Sequence, residues 1–137
     1  MIVLDEQLLG RGIEEEITKW YRGAVHFITD LRPQTVIKDD AVPELLRQQA
    51  QPTFVTINER DFWQKIAIDQ RYRVVCFVFP DSRVREIPPA LRFVLHRAEF
   101  RTKAKRIGKV IRVTKEEIRY YSFDKRQVQF ISKEVIT

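Results

Sequence analysis

The chain has 137 residues, and its 25 Lys and Arg exceed its 19 Asp and Glu to give a formal net charge of +6. This length predicts one domain, residues 1–137, that buries about 68% of its unfolded surface and needs no disulfides. The single Cys76 excludes a disulfide scaffold and a cysteine zinc site, and it indicates a reducing, cytoplasmic compartment. The four glycines form no phosphate-binding loop, the N-terminus lacks the pattern of a secretory leader, and no apolar run reaches the ~18 residues of a membrane span.

The charge is divided unevenly along the chain. Residues 1–62 hold 7 Lys and Arg against 11 Asp and Glu, whereas residues 63–137 hold 18 against 8. This division indicates a site that attracts cations beside a surface that attracts polyanions. The alternative is that the Lys and Arg side chains only solvate helix faces.

The first part of the chain predicts strands alternating with helices, because apolar periods of two and of about 3.6 residues follow one another. In chain order we predict a strand at 2–4, a helix at 7–21, a strand at 25–29, a helix at 40–50, a strand at 53–57, a helix at 61–70 and a strand at 73–79. The last of these strands is mostly apolar, as is typical of a central parallel strand. The alternation predicts an α/β protein with a parallel sheet and helices on both of its faces.

Two details qualify the helices. Leu9, Ile13, Ile17 and Trp20 form one face of the first helix, but Gly10 and Gly12 weaken its first turns or mark a loop near Asp5 instead. The proline at position 43 fits only the first turn of the second helix.

The second part of the chain predicts a long basic helix and then strands. The helix covers 88–105, with an apolar face made by Leu91, Val94, Leu95 and Ala98. From residue 109 the period changes to two, which predicts strands at 109–114, 118–122 and 127–131. These strands form either an antiparallel appendage or an edge of the same sheet. Residues 1–80 then carry the acidic site, and residues 81–137 carry the basic helix and the antiparallel strands.

Polar side chains follow two predicted strands and precede one helix. They are Asp5 and Glu6, then Asp39 and Asp40, then Asn58, Glu59 and Asp61. Carboxyl ends of parallel strands face a common crevice, so these groups can converge there. Carboxylate oxygens are the ligands that Mg²⁺ prefers, and bound metal ions assist phosphodiester hydrolysis. The alternative for Asp40 and Asp61 is helix capping, whereas Asp5 follows a buried strand, where an unpaired carboxylate is costly.

These motifs resemble the PIN superfamily, and within it the small PIN-like proteins related to VapC-type toxins. The resemblance covers residues 1–80 and is carried by Leu4-Asp5-Glu6, by Asp40 before a helix, and by Val55-Thr56 followed by Asn58 and Asp61-Phe62. It implies a three-layer α/β/α fold with a mostly parallel sheet and a ribonuclease that depends on Mg²⁺ or Mn²⁺. By the same resemblance Asp5, Asp40 and Asp61 are catalytic, and together with Asn58 they bind the metal.

Two departures from the family pattern bear on activity. Asn58 is a neutral amide where the family has a carboxylate, and the turn is one residue longer, with Glu59 and Arg60 before Asp61. Glu59 or Glu6 can substitute for the missing acid. Otherwise the chain is a catalytically impaired module that binds nucleic acid or protein on the same fold.

Residues 97–115 form a basic stretch in which Glu99 is the one acid. We predict that its cations bind RNA phosphates, which gives affinity without sequence preference. The candidates are Arg97, Arg101, Lys103, Lys105, Arg106 and Lys109. Three of them, at positions 97, 101 and 105, share one face of the predicted helix. Alternatively this face binds an acidic antitoxin or another acidic protein, and the chain could also form a homodimer. The aromatics at positions 120, 121, 123 and 130 either stack on bases or pack the strands against the core.

Overall fold

The computed structural model describes residues 1–102 and 108–132. Its strands are β1 Ile2–Leu4, β2 Val25–Phe27, β3 Thr53–Thr56, β4 Arg73–Phe77, β5 Lys109–Val113, β6 Glu117–Ser122 and β7 Gln129–Ser132. Its α-helices are α1 Ile13–Thr18, α2 Val42–Arg47, α3 Glu59–Phe62 and α4 Ile87–Leu95, and short 3₁₀ helices cover Glu6–Leu8, Ile28–Leu31, Asp39–Ala41 and Asp81–Glu86.

All the described strands join one sheet in the order β2-β1-β3-β4-β5-β6-β7. The first five strands in this order pair in parallel, whereas β6 pairs antiparallel with β5, and β7 pairs antiparallel with β6. This confirms the predicted α/β class and the mostly parallel sheet. The last three strands are therefore an edge of the same sheet. Strand β5 pairs with β6 antiparallel, as predicted, and on its other side it pairs with β4 in parallel, Val74 opposite Val110.

Helices cover both faces of the sheet and make the predicted three layers. Helices α1 and α4 pack on one face, where Ile17 and Leu91 belong to the same buried cluster as Val55 of β3. Helices α2 and α3 cover the other face, where Leu46 and Phe62 join the other cluster. The steps from β3 to β4 and from β4 to β5 run the same way across the sheet but over opposite faces. These two crossovers therefore have opposite hands, although connections of this kind are nearly always right-handed.

The first predicted helix was too long. Gly10 and Gly12 have φ of 73° and 76°, so the loop alternative is correct and the chain turns between the 3₁₀ helix and α1. Leu9 is 48% exposed as a result, whereas Ile13 and Ile17 are buried as predicted.

The other predicted helices were also too long at one or both ends. The helix predicted at 61–70 is the four-residue α3, and the helix predicted at 88–105 ends at Leu95. Ala98 therefore lies beyond the helix and is exposed. Pro43 does lie in the first turn of α2, and no helix in the described part of the chain is long and apolar enough to cross a membrane.

Candidate functional site

The polar groups predicted from the sequence lie at the point where the connections that follow two neighbouring strands, β1 and β3, leave to opposite faces of the sheet. From β1 the chain crosses to β2 on one side of the sheet, whereas β3 leads on to β4 on the other side. The crevice outside the carboxyl ends of β1 and β3 is a topological switch point, the usual place for a ligand in an open α/β sheet. Asp5 follows β1 and Asn58 lies two residues beyond β3.

Asp5 is buried, with 6% of its surface exposed, and its carboxylate is held at both oxygens. The Glu6 amide donates to Oδ1 at 2.8 Å, and the Thr56 hydroxyl donates to Oδ2 at 2.6 Å. Burial raises the pKa of Asp5, and the nearby charges of Glu6 and Asp61 raise it further, while the two hydrogen bonds oppose the shift. The orientation of this carboxylate is therefore fixed before any ligand arrives.

A chain of hydrogen bonds joins Asp5 to the turn after β3. The Thr56 hydroxyl accepts from the Asn58 amide at 3.0 Å, and Asn58 Oδ1 accepts from the Asp61 amide at 3.3 Å. Asn58 is thus the N-cap of α3, and Asp61 is not. Asn58 Nδ2 also donates to Asp61 Oδ2 at 2.7 Å, so the neutral amide holds the carboxylate that points toward the site.

The second acid beside Asp61 is Asp39, which lies next to Asp40 in a 3₁₀ helix where both residues are exposed. Neither of the two caps α2, whose N-cap is Ala41. The pKa of Asp39 is raised to about 6. The largest cause is loss of water by partial burial, and the hydrogen bond with Asp61 and the charges of Asp61, Asp5 and Glu6 raise it further. The pKa of Asp61 is lowered, first by Asn58. When one of these two carboxyl groups is protonated, the proton therefore resides on Asp39 rather than on Asp61.

In metal-free buffer, Asp39→Asn should raise the melting temperature at pH 7.5, because the ionised Asp39 then lies among like charges. The raised pKa means that this cost is absent below the unfolded value of 3.8 and complete above about 6. After allowance for solvent screening we expect about 1 kcal/mol, or roughly 2–4 °C. Thermal unfolding from pH 7.5 down to pH 4.5 measures this, and a gain that does not shrink as the pH falls would contradict it.

The two glutamates that the sequence offered as substitutes differ in their surroundings. Glu59 Oε1 accepts from Arg112 Nε at 2.5 Å, so an arginine on β5 already neutralises it. Glu6 is exposed, and its charge acts on Asp5 and Asp39.

The donor set suits a hard cation by type, since Asp5, Asp39 and Asp61 supply carboxylate oxygens. Among residues 1–102 and 108–132, however, no three His, Cys, Asp or Glu side chains form a group arranged to hold a metal ion. The carboxyl oxygens are engaged with Thr56, Asn58 and one another. A cation bound here would offset the negative charges of Asp5, Asp39 and Asp61.

The basic stretch does not form the predicted helical face. Arg97 and Arg101 lie beyond the end of α4, and Arg97 pairs with Glu99 at 2.6 Å. The ammonium group of Lys109 donates to the Glu99 carbonyl at 3.1 Å and lies over the Phe100 ring. The remaining candidates, Lys103, Lys105 and Arg106, fall outside the described residues.

The four aromatics near the C-terminus divide between the two predicted roles. Tyr121 is buried and donates its hydroxyl to the Trp63 carbonyl, and Tyr120 packs edge-on against Phe100. The other two, at positions 123 and 130, are 47% and 65% exposed.

Three features of the site were not predicted from the sequence. They are the role of Thr56, the role of Arg112 and the contact of Asp39 with Asp61. Strand periodicity could have found Thr56 and Arg112, because each lies two residues after a buried residue of the same sheet face, Phe54 and Val110. Nothing in the local sequence distinguishes Asp39 from Asp40, since both begin the same turn.

Comparison with known proteins found no matching family model, no matching curated protein and no matching solved structure. The fold and site define an α/β protein with a cluster of carboxyl groups at the switch point of its sheet. The resemblance to the PIN superfamily stays a prediction, and a function has to be argued from the chemistry of this cluster.

Proposed function

We propose that this chain is a ribonuclease that depends on Mg²⁺ or Mn²⁺, with the ion held by Asp5, Asp39 and Asp61. One observation carries the proposal: the carboxyl groups of Asp5, Asp39 and Asp61 lie together at the switch point, where burial first and their mutual repulsion second raise the pKa values of Asp5 and Asp39. Such crowding is costly unless a cation binds there, and perturbed acids in a cleft are typical of functional sites.

Each residue has a distinct part in the proposed reaction. Asp5 is fixed by Thr56 and supplies an immobile oxygen ligand, and Asp61 is held in its anionic form by Asn58. Asp39 would supply a second carboxylate beside Asp61, and a bound cation would favour its ionised form. The bound ion would activate water and offset the charge that develops on the phosphodiester.

The test is cleavage of an end-labelled single-stranded RNA in Mn²⁺ and in EDTA, together with the thermal shift caused by Mn²⁺. We expect cleavage only with Mn²⁺, and Asp5→Asn should lower it by about 10³-fold, or about 4 kcal/mol. Glu116→Gln is the matched control, because this exposed acid lies in the β5–β6 turn, outside the carboxyl cluster. Wild-type levels of cleavage and Mn²⁺ binding in Asp5→Asn would refute the assignment.

The rival proposal is a catalytically impaired module that binds nucleic acid or protein. It is favoured by Asn58, whose amide caps α3, and by Glu59, which is occupied by Arg112. A protein of this kind binds RNA equally in Mn²⁺ and EDTA and cleaves it in neither.

A further inference from the structure

A groove runs between α1 and α4 on the face of the sheet opposite α2 and α3. Its volume is about 710 Å³, and its floor and walls include Ile13, Trp20, Pro88 and Pro89. Both helices follow the carboxyl ends of parallel strands, so the groove begins at the edge where the carboxyl cluster lies. A smaller pocket that also includes Arg11 and Arg85 continues it at that end.

Four cations line the groove, in two pairs. Arg11 and Arg85 precede α1 and α4 and lie at the end near the sheet edge, and Lys19 and Arg92 lie further along, toward the far ends of these helices. The one acid in its lining is Glu16, which pairs with Lys19 at 2.8 Å.

The two arginines on the α4 side have no competing partner. Arg85 and Arg92 are exposed, and neither forms an ion pair with any residue in the part of the chain that the structure describes. Arg11 pairs with Asp81 at 3.1 Å, but the Asp81 side chain is 77% exposed, so the pair is weak in water. The groove therefore carries an uncompensated positive charge.

Trp20 distinguishes this groove from a merely basic surface. It is half-buried, its ring packs against the α1/α4 core, and it meets Tyr21 edge-on at 6.1 Å. The indole and the two prolines line the same groove and give it an apolar surface for a planar group. A guanidinium group can donate two parallel hydrogen bonds to the oxygens of one phosphate. Arginines for the phosphates and an aromatic ring for a base are the two elements of a channel that binds single strands.

We propose that the groove between α1 and α4 binds single-stranded RNA, with phosphates on Arg11, Arg85 and Arg92 and a base stacked on Trp20. The proposal rests on the proposed function for the choice of RNA, but it requires no metal and no cleavage. A duplex fits less well, because its bases are stacked on one another and unavailable to Trp20. An acidic polypeptide would satisfy the arginines and leave the indole face without a planar partner.

The test is the fluorescence anisotropy of a labelled, unstructured oligoribonucleotide in EDTA, measured over a range of salt concentrations. Arg85→Glu/Arg92→Glu should weaken binding by at least about tenfold and reduce the salt slope by about 1.4, since each single-strand phosphate contact contributes about 0.7. The matched control is Lys125→Glu/Arg126→Glu, which changes the net charge equally at exposed positions outside the groove and outside the basic stretch, and it should stay within about twofold.

A second measurement tests the stacking. In Trp63→Phe the remaining tryptophan is Trp20, and its fluorescence should be quenched when the oligoribonucleotide binds. Polyglutamate of matched charge should neither quench it nor displace the RNA. Arg85→Gln/Arg92→Gln repeats the comparison with a milder change, and thermal unfolding shows that each variant is folded.

Three results would overturn the proposal that the groove binds RNA. They are equal losses of RNA affinity in the two charge-reversed double variants, no quenching of Trp20, and displacement of RNA by polyglutamate, which would indicate an acidic protein partner. These outcomes are separable from the fate of the proposed ribonuclease. Binding in EDTA that depends on Arg85 and Arg92, without cleavage in Mn²⁺, removes the enzyme and keeps the groove. Cleavage in Mn²⁺ together with unaltered RNA binding by Arg85→Glu/Arg92→Glu would keep the enzyme and remove the groove.

Discussion

Asp39→Asn is expected to lower Mn²⁺-dependent RNA cleavage by about 10²–10³-fold, because loss of a metal ligand costs several kcal/mol of transition-state stabilisation. Asp40→Asn is expected to leave cleavage within about threefold of the wild type, since Asp39 is the residue whose carboxyl group interacts with Asp61 and Asp5. Rates at saturating Mn²⁺, and the Mn²⁺ concentration at half-maximal rate, measure both variants.

This pair of substitutions decides between the structure-based and the resemblance-based choice of the second acid. The two residues are adjacent, begin the same 3₁₀ helix and carry the same charge, so each variant is the control for the other. The hydrogen bond with Asp61 and the raised pKa single out Asp39. A large loss in Asp40→Asn with normal activity in Asp39→Asn would restore the assignment made by resemblance.

Phe62→Ala is expected to lower the free energy of unfolding by about 3–4 kcal/mol, the cost of truncating a buried phenylalanine. Phe62 is 1% exposed, and its ring meets Phe54 edge-on with 5.3 Å between the centroids. Helix α3 has only four residues and is too short to hold itself. Its anchoring therefore comes from this ring and from the Asn58 cap, and loosening it should also weaken Mn²⁺ binding through Asp61.

Urea unfolding measures the stability effect, and the Mn²⁺ thermal shift measures the effect on the site. Phe100→Ala is the matched control, because Phe100 is 0% exposed and meets Tyr120 edge-on at 5.1 Å, but it belongs to the α1/α4 layer. It should cost a similar stability and leave Mn²⁺ binding unchanged. A loss below about 1 kcal/mol in Phe62→Ala would show that α3 is held by other contacts.

The strand pattern could be predicted well because it depends on local periodicity and burial. Residues 73–77 are buried throughout, as the apolar run at 73–79 predicts for a central strand. Helix length was predicted poorly, because the helical spacing of apolar residues continues through residues whose backbone is no longer helical. Gly10 and Gly12 in left-handed conformations, and the turns after Phe62 and Leu95, shorten the helices without breaking the apolar spacing.

The direction of β5 illustrates a different limit. Its antiparallel pairing with β6 was predicted from the sequence, but its parallel pairing with β4 was not. Whether a strand runs parallel to its neighbour depends on how the preceding connection crosses the sheet, and α4 crosses on the α1 face to bring β5 beside β4 in parallel. This crossover also creates the groove between α1 and α4, which no local sequence signal predicted.

The sequence by itself determined that acids follow the strands and that the fold is α/β, because burial patterns and strand-end chemistry are written locally. Only the tertiary structure decided which of two adjacent aspartates meets Asp61, that Thr56 holds Asp5, and that Arg112 neutralises Glu59. Each of these contacts joins residues that are between 22 and 53 positions apart. Their meeting depends on strand order and crossover path, which are properties of the whole packed chain.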